Sequence, residues 1–158
     1  MKIQIRKGEL SKLSEIQKLF SETITFVCKN DYDQKQIEAW KSSVENTARW
    51  QSLVLNQYFI VAELKGKIVG FASLDNGNYI DFLFVHKDFQ RMGIAQKLYA
   101  ELEKEAKRLN SLVLTSDVSK TAKAFFESNG FKVLAEQVPI RKNVELVNFK
   151  MQKVLLNT

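Results

Sequence analysis

Seven consecutive residues, Tyr79-Ile80-Asp81-Phe82-Leu83-Phe84-Val85, form an almost unbroken apolar run. A short glycine-bearing turn separates them from a stripe at Ile94, Leu98, Leu102, Ala106 and Leu109. A run of that kind reads as a strand covered on both faces. A stripe recurring every three or four residues, with Lys and Glu between, reads as an amphipathic helix. Leu112 to Thr115 then reads as a further short buried strand. Strand, helix and strand in so short a span close as a right-handed crossover, which commits the chain to a mixed α/β sheet.

The rest of the chain fits around that unit. Lys2 to Arg6 alternates as a first strand, and Leu13, Ile16, Phe20, Ile24 and Val27 mark a helix. Asp33 with Gln36 resembles a capping box, and Ile37, Trp40 and Val44 continue a second stripe. Gln34 to Leu55 is compatible with one helix or two pieces. Tyr58 to Leu64 and Lys67 to Leu74 read as strands joined at Lys65-Gly66, and Asp75-Asn76-Gly77-Asn78 supplies the next turn. Thr121 to Ser128 reads as a last helix ended by Asn129-Gly130. Phe131 to Val138 and Asn143 to Met151 read as closing strands around Pro139.

A length of 158 residues without linker, repeat or low-complexity tract predicts one domain over residues 1–158. No apolar run reaches the roughly 18 to 20 residues that span a bilayer, so no membrane partner is expected. The start, Met1-Lys2-Ile3-Gln4-Ile5-Arg6-Lys7, places charges where a signal peptide is apolar, which predicts a cytoplasmic protein. One cysteine forms no internal disulfide and one histidine seeds no His-rich metal site, so no metal is expected. Twenty-four basic against 18 acidic residues leave +6, which favours anionic ligands. Glu101, Glu103 and Glu105 interrupt any basic stripe on the helix after Gly93, so nucleic acid is not an expected partner.

The chemistry concentrates in Gln90-Arg91-Met92-Gly93-Ile94-Ala95, between the apolar strand and its helix. The first amides of a helix lack intrahelical acceptors and carry partial positive charge, which suits a phosphate or pyrophosphate. Gly93 removes a Cβ from that approach, Ala95 keeps the next turn small, and Arg91 can add a charge-assisted contact. The plain alternative is that Gly93 relaxes a strand-to-helix bend. The spacing is neither the dinucleotide fingerprint nor the P-loop.

The six residues resemble the Gln/Arg-x-x-Gly-x-Gly/Ala acyl-CoA loop of the GNAT N-acetyltransferase superfamily. Tyr79 to His86 is similar to that family's central strand, and Ala122-Lys123-Ala124-Phe125-Phe126-Glu127-Ser128-Asn129-Gly130-Phe131 to its Ala-x-x-Phe-Tyr-Glu-x-x-Gly-Phe signature. The resemblance covers about Tyr58 to Met151. It implies an α/β fold with a central mixed sheet of about seven strands, helices on both faces, and two parallel strands that splay at the cofactor site.

It also implies roles. The pyrophosphate of acetyl-CoA would lie on amides of Arg91 to Ala95. Pantetheine would bond the backbone of Leu83, Phe84 and Val85 as an added strand, and an N–H near Val85 would face the thioester oxygen. Ser119 stands where relatives place an Asn that touches pantetheine, and it reads equally as the cap of the following helix. With pantetheine along Leu83 to Val85, Asp81 would lie just beyond the thioester. There, on a face shared with Tyr79, Leu83 and Val85 and between apolar Ile80 and Phe82, it is the candidate base. Its structural alternative is a carboxylate bonded to nearby backbone.

The resemblance also implies that Phe125 and Phe126 border the cofactor. Phe126 departs from many relatives, whose Tyr there protonates the departing thiolate; Tyr79, a water or unprotonated departure would take over. Cys28 has no His partner and reads as a buried thiol, and His86 as a structural loop residue. In the family the first helices wall the acceptor pocket, so one or two of Trp40, Trp50 and Phe26, with Tyr32, would line it. Lys97 and Lys123 fall near the family's cofactor edge and read mainly as surface lysines. The expected partners are acetyl-CoA and an amine acceptor, in a monomer or homodimer. The expected activity is acetyl transfer by direct attack of a small-molecule or peptide amine. A non-catalytic acyl-CoA-binding module of the same fold is the alternative.

Overall fold

Capping and apolar spacing fix the N-terminal elements of this computed structural model, which describes residues 2–155. Strand β1 (Gln4–Lys7) leads through a 3-10 turn into α1 (Leu13–Val27). Asp33 and Gln36 form the expected capping box and start α2 (Gln34–Lys41). A 3-10 turn at Ser42–Glu45 then breaks the stripe, and the Asn46 side chain caps α3 (Thr47–Asn56). Gln34 to Leu55 is therefore two helices, each with its own cap.

Strands β2 (Tyr58–Leu64), β3 (Lys67–Asp75) and β4 (Tyr79–Val85) form a meander, followed by α4 (Ile94–Arg108) and β5 (Val113–Ser119). Helix α5 (Lys123–Ser128) and β6 (Lys132–Gln137) precede a small hairpin, β7 (Ile140–Arg141) with β8 (Val144–Glu145), and β9 (Asn148–Val154) closes the chain. The seven-stranded sheet runs β1-β2-β3-β4-β5-β9-β6, and β7 pairs with β8 apart from it. Strand β5 runs four residues beyond the expected Thr115 because β9 pairs with its whole length. The β7–β8 hairpin is absent from the sequence reading. Lys142 and Asn143 adopt left-handed φ of 52° and 63° and turn the chain without a glycine.

Two apolar layers cover the sheet. On one face Leu98, Leu102 and Ala106 of α4 pack with Ile60, Ala72, Leu114 and Met151. On the other, Ile16, Phe20 and Ile24 of α1 pack with Trp50 of α3 and with Phe71 and Phe82. Leu109 falls outside its stripe: it follows the last turn of α4 and is exposed. No helix among the described residues is long and apolar enough to cross a membrane.

The functional consequence of the topology lies between β4 and β5. They run parallel, yet only Tyr79 with Thr115 and Ile80 with Ser116 are paired before the strands diverge. The Ser116 hydroxyl donates to the Ile80 carbonyl at 2.7 Å at the point of divergence. Beyond it Leu83, Phe84 and Val85 are half-buried, so the second half of β4 lacks the double cover expected of it.

Candidate active site

The divergence opens a cleft of about 620 Å³. Leu83 and Phe84 of β4, Val118 and Ser119 of β5, and Ala122 and Phe126 line one end. On its other edge β4 is held by β3, where Leu83 pairs with Ala72 and Phe84 with Phe71. Backbone groups facing the missing neighbour need partners, and an extended ligand with amides supplies them. Val85 differs from its two neighbours. Its carbonyl already accepts from the Thr23 hydroxyl at 3.0 Å and the Gln90 side-chain amide at 2.7 Å. Gln90 also donates to the His86 carbonyl, so its side chain braces the loop.

His86 braces the same loop. Its Nδ1 accepts from the Asp88 amide at 3.1 Å, and its own amide donates to the Val69 carbonyl. Burial, then the positive charge of Lys67, pushes its pKa down, so it is a neutral acceptor at neutral pH. Arg91 adopts a left-handed φ of 63° and Gly93 one of 79°. No side chain caps α4, whose first intrahelical bond runs from Lys97 to Gly93. Arg91, Met92 and Gly93 are exposed, and a Cβ on Gly93 would meet nothing within 4 Å. Helix-opening amides without a side-chain cap, a bare approach and an adjacent guanidinium together suit a diphosphate. Ile94 turns inward as a core anchor, leaving Ala95 half-buried beside it.

The other end of the cleft is polar. A bulge sets it up: Leu74 pairs with Ile80 and Ser73 with Phe82, so Asp81 is an extra residue on β4. The bulge breaks the expected alternation. Ile80, Leu83 and Val85 pack in the α4 layer, whereas Phe82 and Phe84 pack in the α1 layer. Asp81 therefore does not share a face with Leu83 and Val85. Its carboxylate, 10% exposed, accepts from Arg49 Nη2 at 2.9 Å and from Gln57 Nε2 at 2.8 Å. The partners are thus side chains of α3 and of the residue after it, rather than nearby backbone. The Arg49 guanidinium also lies 5.4 Å from the Phe82 ring centroid.

Tyr79 donates to Asp117 Oδ2 at 2.9 Å, and Gln137 donates to Asp117 Oδ1 at 2.8 Å. Burial, then the bond to Asp117, pushes the Tyr79 pKa well above the ordinary phenol value. A hydroxyl whose proton is already given to a carboxylate is a poor proton donor to anything else, which argues against Tyr79 as the acid.

Tyr32 and Trp40 line the cleft as expected, with ring centroids 5.4 Å apart. Trp50 is core instead, with its indole N–H donating to the Ser43 carbonyl. Phe26 is exposed, under the Lys87 ammonium and outside the cleft lining. Cys28 is buried and its thiol pKa is pushed up by that burial. Ser119 Oγ accepts from the Ala122 amide at 3.1 Å, stabilising the turn before α5 rather than its own first residue. Phe126 lines the cleft as a cofactor neighbour would, but Phe125, expected there too, packs edge-on against Tyr99 outside the lining. Lys123 lies over the Phe149 ring and Lys97 is exposed.

Arg49, Asp117, Gln137 and Arg141 all line the cleft and were missed in the sequence. Only Asp117 had a signal: the alternation Thr115, Asp117, Ser119 continues the strand that the apolar reading cut short.

Three comparisons bear on this geometry. A sequence model of the acetyltransferase (GNAT) domain matches residues 28–153. The uncharacterized N-acetyltransferase YafP of Escherichia coli is 32% identical over 150 residues, 95% of each chain. Among solved structures, a GCN5-related N-acetyltransferase from Rhodopseudomonas palustris superposes with a TM-score of 0.94 at 30% identity, covering 98% of this chain and 97% of that one. The PaiA N-acetyltransferase of Thermoplasma acidophilum, solved with coenzyme A, has the same fold at a TM-score of 0.80 and 20% identity, covering 98% and 100%. With the splayed parallel pair and the uncapped turn opening α4, these place the chain in the GNAT family of N-acetyltransferases.

Proposed function

We propose that the protein transfers the acetyl group of acetyl-CoA directly to an amine bound at the polar end of the cleft. The observation that carries this reading is the two-ended cleft itself. One end is a half-buried strand edge at Leu83 and Phe84, and the other is a set of carboxylates beside the same strand. The turn Arg91 to Ala95 would hold the diphosphate, and the edge of β4 would hold pantetheine with its thioester near the bulge. Val85 takes a smaller part than its neighbours, since its carbonyl is already engaged.

In the reaction the amine lone pair attacks the thioester carbonyl carbon. The C–S bond then breaks, the sulfur keeps the electron pair, and the nitrogen loses a proton. An alkylamine has a pKa of about 10 and must lose a proton to attack, so a carboxylate acceptor beside it aids the step. Asp81 is the base in this reading. Arg49 and Gln57 fix the direction of its carboxylate, leaving its remaining lone pairs for the incoming amine. Phe126 offers no proton and Tyr79 holds its own against Asp117, so the thiolate departs unprotonated or takes a proton from water.

Release of free thiol from acetyl-CoA with a panel of amines tests the reading. Asp81→Asn should leave acetyl-CoA affinity nearly unchanged while lowering turnover about a hundredfold near neutral pH. An unaltered pH–rate profile in that variant would remove Asp81 from the chemistry. Tight binding of acetyl-CoA without transfer to any amine would leave a binding module instead.

A further inference from the structure

Charges at the polar end of the cleft do not all cancel. Asp81 is neutralised by the Arg49 guanidinium at 2.9 Å. Asp117 receives hydrogen bonds from Tyr79 and Gln137, both uncharged, and forms no ion pair among the described residues. Its cross-strand neighbour Lys150 lines an adjoining small cavity with it but comes no closer than a solvent-separated pair, since no salt bridge joins the two. Arg141 of β7 also lines the cleft, exposed and without a carboxylate partner among the described residues. The hairpin that carries it is anchored. The left-handed Lys142-Asn143 turn fixes the hairpin, Lys142 approaches Glu45 at 3.9 Å, and Gln36 donates to the Glu145 carbonyl.

Among the charged residues lining the cleft, Asp117 and Arg141 are thus the two without an ion pair. Resting on the transferase reading above, we infer that the acceptor is an amino carboxylate: an amine whose own carboxylate is held by Arg141. A planar guanidinium matches a carboxylate in a two-pronged contact. A diamine would place its second cation beside Arg141, where like charges repel. An amine with no second charge would leave Arg141 unanswered. Trp40, which also lines the cleft, offers an aromatic surface for the body of such a molecule.

Matched pairs that differ by a carboxylate test the assignment: phenylalanine with phenethylamine, tryptophan with tryptamine, lysine with cadaverine. Each is titrated by calorimetry into the enzyme saturated with coenzyme A, so that binding is read without turnover. The carboxylate members should bind about tenfold more tightly, the low end for a charge-assisted contact at an exposed site. Arg141→Ala should bring the ratio within each pair to near one, with Arg141→Lys intermediate and thermal melting reporting the fold.

Equal or tighter binding of the decarboxylated members overturns the inference, as does a preference that survives Arg141→Ala or binding by none of the six. Thiol release from acetyl-CoA is followed separately. Acetylation without carboxylate preference would sink the inference and leave the transferase reading standing.

Discussion

Gly93 shows how one missing side chain leaves the opening of a helix bare. It sits at a φ of 79°, where a Cβ would be strained, yet faces open space. Gly93→Glu should therefore cost modest stability while abolishing acetyl-CoA binding, because a carboxylate would stand where phosphate charge belongs. Calorimetry with acetyl-CoA and a melting curve separate the two effects. This residue was legible in the sequence because a glycine between an apolar run and a helical stripe has few readings. Asp81 was legible only as a carboxylate in an apolar segment. The bulge that turns it toward α3 depends on pairing with β3, and no period-2 count along β4 alone contains that information. Its partners Arg49 and Gln57 are distant in sequence and look like surface residues there.

Between elements, the joint of α4 with β9 depends on a small ionic cluster. Lys153 donates to Glu103 at 2.6 Å, Tyr99 donates to the same carboxylate at 2.6 Å, and Lys107 approaches it at 3.3 Å. Burial alone would raise the Glu103 pKa, but the bonds from Lys153 and Tyr99 hold it below its ordinary value of 4.5. A carboxylate with a depressed folded-state pKa contributes its full stability above 4.5 and loses it as pH falls through the folded value. Glu103→Gln should cost about 1–2 kcal/mol near neutrality, and the gap from wild type should narrow on acidification below 4.5. Denaturant titrations at several pH values measure both. Helices α1 and α4 were plain from their stripes. The β7–β8 hairpin was not, because Lys142-Asn143 takes the conformation that Asn-Gly advertises without the residues that signal it.

At the scale of the whole molecule, the α1–α2 connection reaches across the splay. Tyr32 donates to the Val147 carbonyl at 2.6 Å and accepts from the Lys120 amide at 2.9 Å, while Thr121 donates to Asp31. These bonds hold the β5–α5 and β9 side to the helices that wall the polar end of the cleft. Tyr32→Phe leaves a partly buried carbonyl and amide without this partner. It should cost about 1–3 kcal/mol and raise the acceptor KM more than that for acetyl-CoA, as melting curves and initial rates would show. Sequence periodicity conveyed the elements and their order along the chain, and the family resemblance the layers. It could not convey this strap, which joins residues 88 and 115 positions apart.

Two rungs of ladder, Tyr79 with Thr115 and Ile80 with Ser116, are all that stitch the meander to the C-terminal strands within the sheet. On the proposed reading the bound thioester becomes the missing plank of that wall. The apo protein would be an unfinished sheet, and the substrate would complete its architecture in the same act that delivers the acetyl group.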